Sequence, residues 1–131
     1  MSESELIELL ILSQSETAQS VMNLTAIVFA YVLVAYFVGE KLSKAWSIGV
    51  SVCYSLFIIP IFMGCMTGVG LTISLASTYV PKYPNGAVVD DYITYSESPY
   101  LVLIVVLLPI VVGWLGSLLY MHLSVRGRGS A

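Results

Sequence analysis

Three long stretches without a charged side chain alternate along this sequence with short polar segments. The first, 17–39, is 23 residues long. As a helix rising about 1.5 Å per residue it covers about 35 Å, enough for a hydrocarbon layer about 30 Å thick. The second, 45–81, is 37 residues, too long for one perpendicular span. Its membrane part is placed at 47–70, with 71–78 projecting outward or lying along the surface. The third span, 99–123, has its core in LVLIVVLLPIVVGWLGSLLY. Runs such as VLIVVLL lack the alternation of a membrane β-strand, and lipid gives unpaired backbone groups no partner. The pattern predicts an all-α integral membrane protein with three transmembrane helices.

The polar segments refine this picture. In 1–16, Ser2 and Glu5 stand at capping-box spacing and Leu6, Leu9 and Leu10 share a face, so the segment reads as a short interfacial helix. Ser13 with Glu16 offers a second helix start, and one unbroken helix over 3–38 fits the pattern equally. The loop 79–98 holds Tyr79, Tyr83, Tyr92 and Tyr95, with Tyr100 just beyond. Pro84-Asn85-Gly86 is a turn signal there, consistent with a small hairpin. The tyrosines read as an aromatic belt at the headgroups, with Trp46 and Trp114 its counterpart on the other side.

Charge then orients the spans. Lys41 and Lys44 lie between spans one and two, and Arg126 and Arg128 lie in the tail 126–131. Lys82 is alone on the opposite side. Glu3, Glu5, Glu8, Glu16, Asp90, Asp91 and Glu97 also fall opposite, leaving only Glu40 in the basic loop. Basic residues near span ends are retained in the cytoplasm, so Lys41, Lys44, Arg126 and Arg128 are topology anchors for an N-out, C-in chain. The expected organisation is an acidic segment 1–16, a membrane domain 17–125 and a basic tail 126–131. The expected location is multi-pass in a plasma membrane, the inner membrane if the cell is bacterial. Lipid is the expected partner, and nucleic acid is not.

Composition excludes a water-soluble fold: 58% of residues are hydrophobic and 10% charged, with a mean hydropathy of +0.92. Cys53 and Cys65 lie twelve residues, about 18 Å, apart on one predicted helix, too far for a disulfide within it. His122 is the only histidine. No metal, no cofactor and no catalytic residue is expected. An ionisable side chain inside a span is the usual sign of a proton or ion path. Residues 17–39, 47–70 and 99–120 contain none, which argues against proton-coupled transport.

Small residues carry more information. Gly64 and Gly68 form a GxxxG pair followed by Gly70, and Gly113 and Ser117 form a second small pair with Gly116 between them. Such faces let helix backbones approach closely, within a chain or between copies. Ser47, Ser51 and Ser55 recur every fourth residue as one hydroxyl stripe. Pro60 lies 16 residues after Lys44 and Pro109 lies 17 before Arg126, so both sit about 25 Å from the basic anchors. Each removes a helical hydrogen bond, making Pro60, Pro109, Tyr54 and the serine stripe candidate pore or cavity lining.

These features favour a structural or accessory subunit that self-associates or joins a larger membrane complex through its glycine faces. A pore former is the alternative. In size, span number and orientation the chain resembles the three-span phage holins, although its tail SVRGRGSA has two arginines where holins end in a highly charged segment. An oligomeric channel lined by the serine stripe is the remaining reading. The charge bias makes a direct prediction. Alkaline phosphatase fused after Ala131 should be inactive while a fluorescent reporter at the same place is bright, and the reverse pattern would overturn the orientation.

Overall fold

A computed structural model describes residues 1–126, and among them every regular element is helical. Helix α1 spans Glu3–Val38, α2 spans Lys44–Lys82, α3 spans Val89–Glu97 and α4 spans Pro99–Arg126, with a 3₁₀ turn at Gly39–Lys41. Three of them are long and apolar enough to cross a membrane. Large apolar side chains such as Phe29, Phe57, Ile104 and Leu115 point away from the bundle and are exposed. That is the inverse of a water-soluble domain and suits a hydrocarbon surrounding.

Local sequence sets the helix ends. The Ser2 hydroxyl accepts the amide of Glu5 while the Glu5 carboxylate accepts the amide of Ser2, so the predicted capping box forms. Ser43 caps α2 by accepting from the Trp46 amide. Pro99 starts α4, where a missing N–H costs nothing because that donor has no partner inside a helix anyway.

Of the two readings of the N-terminus, the unbroken helix is the one that forms: α1 runs from Glu3 to Val38 with no separate short helix before it. Ser13, instead of capping a second helix, is buried mid-helix, donates to the Leu10 carbonyl and lies 2.8 Å from the Thr72 hydroxyl. The hairpin is also absent. Residues 84–87 do turn, but Val89–Glu97 then coil as α3, since Asp90 and Asp91 suit the positive first turn of a helix.

The α1 and α2 helices are 36 and 39 residues long, about 54 and 58 Å, whereas α4 has 28 residues, about 42 Å. Five residues, 39–43, join α1 to α2, so the two start level at the end that carries Lys41 and Lys44, the basic end. Gly39 there packs on Ser124 of α4. At the far, acidic end α1 and α2 extend beyond a bilayer's thickness and α3 lies against α2 and α4.

Two clusters form the core. One lies along the spans and includes Leu24, Tyr31, Tyr54, Ile58, Cys65, Val69, Val102 and Met121. The other, at the acidic end, joins Leu6 and Leu10 of α1, Ala76 and Tyr79 of α2, and Tyr92 of α3. The α1–α2 seam closes on glycine. A β-carbon at Gly68 would collide with the Thr17 hydroxyl, and one at Gly64 would reach the Ser20 hydroxyl at 4.0 Å. At Gly70 a β-carbon meets nothing within 4 Å. Gly68→Leu is therefore expected to destabilise the bundle by about 2 kcal/mol or more through overpacking. Gly70→Leu should be neutral or mildly stabilising, since Leu is the better helix former. Thermal unfolding in mild detergent measures both, and equal effects would show that Gly68 does not set the seam.

Candidate functional site

Polar side chains gather in two layers of the bundle, separated by an apolar middle. In the layer toward the basic end, the Tyr31 and Tyr54 rings stack face to face, centroids 3.8 Å apart and 8° from parallel. Each hydroxyl lies 2.7 Å from a serine oxygen, Tyr31 on Ser51 and Tyr54 on Ser117. Those serines donate their own protons to the Ser47 and Trp114 carbonyls, so the tyrosines supply the shared protons. In the layer toward the acidic end, Ser13, Thr17 and Thr72 bond along the α1–α2 seam, with Gly68 beside them.

The predicted lining residues divide. Ser47, Ser51 and Ser55 are brought together with His122 of α4 in a cleft of about 390 Å³ at the basic end, walled by Ile48, Val52, Leu56 and Leu118. Tyr54 lies in the core instead, stacked on Tyr31. Pro109 lines a separate apolar groove of about 500 Å³ between α1 and α4, with Phe29, Val105 and Gly113. Pro60 remains within α2 and is exposed, so the two prolines share no cavity among those described.

The packing residues divide as well. Gly64 and Gly68 receive α1, and Ser117 is buried against Tyr54. Gly70, Gly113 and Gly116 meet no neighbour within 4 Å. Among the anchors, Lys41 sits in the 3₁₀ turn, Lys44 opens α2 and Arg126 closes α4, all at one end. Arg128 lies outside the described residues.

The tyrosine belt is corrected in part. Tyr79 and Tyr92 are buried in the acidic-end core, whereas Tyr100 is 80% exposed. The Tyr79 hydroxyl donates to the Glu3 carboxylate at 3.0 Å, and the same oxygen accepts the Ala87 amide. Gly86 fits beside this contact because a β-carbon there would strike both Tyr79 and Glu3. The Gln14 side chain accepts from Tyr92 and donates to Tyr95, which ties α3 to α1. Burial, then the Glu3 carboxylate, pushes the Tyr79 pKa up and keeps it a donor. Trp46 is exposed as a belt residue would be. Trp114 instead packs on the core, and no described residue partners its buried indole N–H.

Sequence reasoning missed the Tyr31–Tyr54 stack and the approach of His122 to the serines, both of which depend on helix rotation. A signal for the seam was present. Ser13, Thr17 and Ser20 repeat at helical spacing on α1, as do Gly64, Gly68 and Thr72 on α2. Compared with protein-family models, curated proteins and solved structures, the chain matches none.

The capping box carries a pH prediction. The hydrogen bond between the Glu5 carboxylate and the Ser2 amide, with that to the Ser2 hydroxyl second, lowers the Glu5 pKa. A depressed folded-state pKa means the stabilisation is present above the ordinary glutamate value and is lost as pH falls through the lowered one. Hydrogen exchange at the Ser2 and Glu5 amides, taken relative to the unprotected rate at each pH, should accelerate across that acidic window. In Glu5→Gln, which keeps the acceptor but cannot titrate, the acceleration should vanish, and its persistence would remove Glu5 as the cause.

Proposed function

We propose that this chain is a multi-pass membrane protein, basic end in the cytoplasm and acidic end outside, that serves as a non-enzymatic structural or accessory subunit of a homo-oligomer or larger membrane complex. One observation carries this reading. The Gly64/Gly68 face is filled by α1 of the same chain, while on α4 a β-carbon at Gly116, or at Gly113 on the edge of the α1–α4 groove, meets no described atom within 4 Å. Of the three spans, α4 is also the least covered: 11% of its most apolar stretch is buried, against 28% for α2. A helix that meets another in lipid gains from close backbone approach, and Gly113 and Gly116 permit it.

The channel reading draws less support. Ser51 is already bonded to Tyr31 and to its own helix, and the stripe opens toward α4 rather than onto a free face that several copies would turn to a shared axis. Gly113→Leu with Gly116→Leu should leave helix content and unfolding temperature unchanged or slightly raised, because a β-carbon at either position meets no neighbour within 4 Å. The pair should weaken association by about tenfold or more, roughly 1.4 kcal/mol. Light scattering of the purified protein in mild detergent measures this. A wild-type protein that is strictly monomeric and leaves the membrane without a partner would overturn the proposal.

A further inference from the structure

The basic-end cleft holds a polar group with nothing to bond. Ser47 is 7% exposed, and its hydroxyl makes no hydrogen bond among the described residues, although most hydroxyls on these helices return to their own backbone. The Ser55 hydroxyl and the His122 ring, on the same cleft, are likewise without a hydrogen bond among the described residues. The Ser47 hydroxyl opens onto the cleft, where a bound group can take the hydrogen bond that no described residue makes.

Positive charge stands at the basic end of the cleft: Lys44, exposed, lies one turn before Ser47 and Ile48 on α2. The first turn of α2 adds the positive end of its dipole, and no carboxylate lines the cleft. Further from the mouth the walls turn apolar, through Val52, Leu56 and Leu118. Positive charge at the mouth, hydroxyls within and an apolar wall running toward the bilayer centre match one ligand chemistry: a phosphate joined to an acyl chain. A soluble phosphate would leave the apolar wall empty, and an uncharged lipid would leave the cationic mouth unused.

We infer that this cleft binds an anionic phospholipid of the cytoplasmic leaflet, its phosphate at Lys44 and His122, its glycerol and ester oxygens at Ser47 and Ser55, and an acyl chain along Val52 and Leu118. The inference rests on the membrane orientation proposed above but not on self-association. The volume of about 390 Å³ holds a headgroup and the first part of one chain.

Full-length protein in mixed micelles, studied by native mass spectrometry, tests it. Phosphatidylglycerol should be retained about tenfold more than phosphatidylcholine. Lys44→Gln with His122→Gln should abolish that preference, as should Ser47→Leu, which fills the cleft, whereas Lys82→Gln at the acidic end should leave it intact. Lys44 and His122 are exposed, so their double variant keeps the fold and preserves the test if Ser47→Leu does not. Equal retention of the two lipids, or a preference that survives Lys44→Gln with His122→Gln, overturns the site. Displacement of phosphatidylglycerol by millimolar inorganic phosphate overturns the lipid and leaves a soluble-anion site. Release of the protein from membranes by alkaline carbonate is a separate outcome that would end the membrane reading itself.

Discussion

Helices α1 and α2 are each nearly twice as long as a hydrocarbon layer is thick, and most of this architecture follows from where the excess goes. Five residues join them at the basic end, so neither can slide past the other there. The surplus of roughly 25 Å has to emerge together at the acidic end. Two helices that left a bilayer side by side would carry their leucines into water unless something covered them. Leu6 and Leu10 are covered by Ala76, Tyr79 and, from above, Tyr92 of α3. Helix α3 thus covers the surplus length, and its aspartates and tyrosine hydroxyls, bridged to Gln14 of α1, give that end a polar surface.

Within the spans the dominant interaction is the α1–α2 seam, where close approach at Gly68 and Gly64 brings hydroxyls into reach of one another. Lipid supplies no hydrophobic drive for helices to associate, so contact depends on fit and on polar groups that lipid cannot satisfy. Ser13 with Thr72 at one end and Tyr31 with Ser51 at the other fasten the seam at two depths. Helix α4 makes fewer such commitments, the Tyr54–Ser117 bond chief among them, and keeps most of its surface for the surroundings.

Much of this was legible in the sequence. Span number, helical class, the capping box at Ser2 and Glu5, and the clustering of Lys41, Lys44 and Arg126 at one end all follow from features that act locally or along one axis. What escaped depends on relative rotation. Tyr92 reads the same whether it faces headgroups or a small core, and only the position of α3 over Leu6 and Leu10 decides it. The acidic-end loop looked strand-like because its β-branched residues and turn residues favour a hairpin, and the tertiary need for a cover on the leucines overrode that preference. The serine stripe was visible as spacing. Its meeting with His122, 67 residues beyond Ser55, was not, because no periodicity links two helices.

The separation of the two polar layers has an electrical consequence. From Ser20 to Tyr31, about 16 Å along α1, the residues buried or half-buried are Val21, Leu24, Ile27 and Val28, which share one apolar cluster with Ile58 and Ile61 of α2. A hydrated ion entering from either layer would have to shed its water into a section with no dipole to replace it, a barrier far above thermal energy. In a bilayer such a section would hold the two polar layers of one copy electrically apart, with only apolar side chains of the seam described between them.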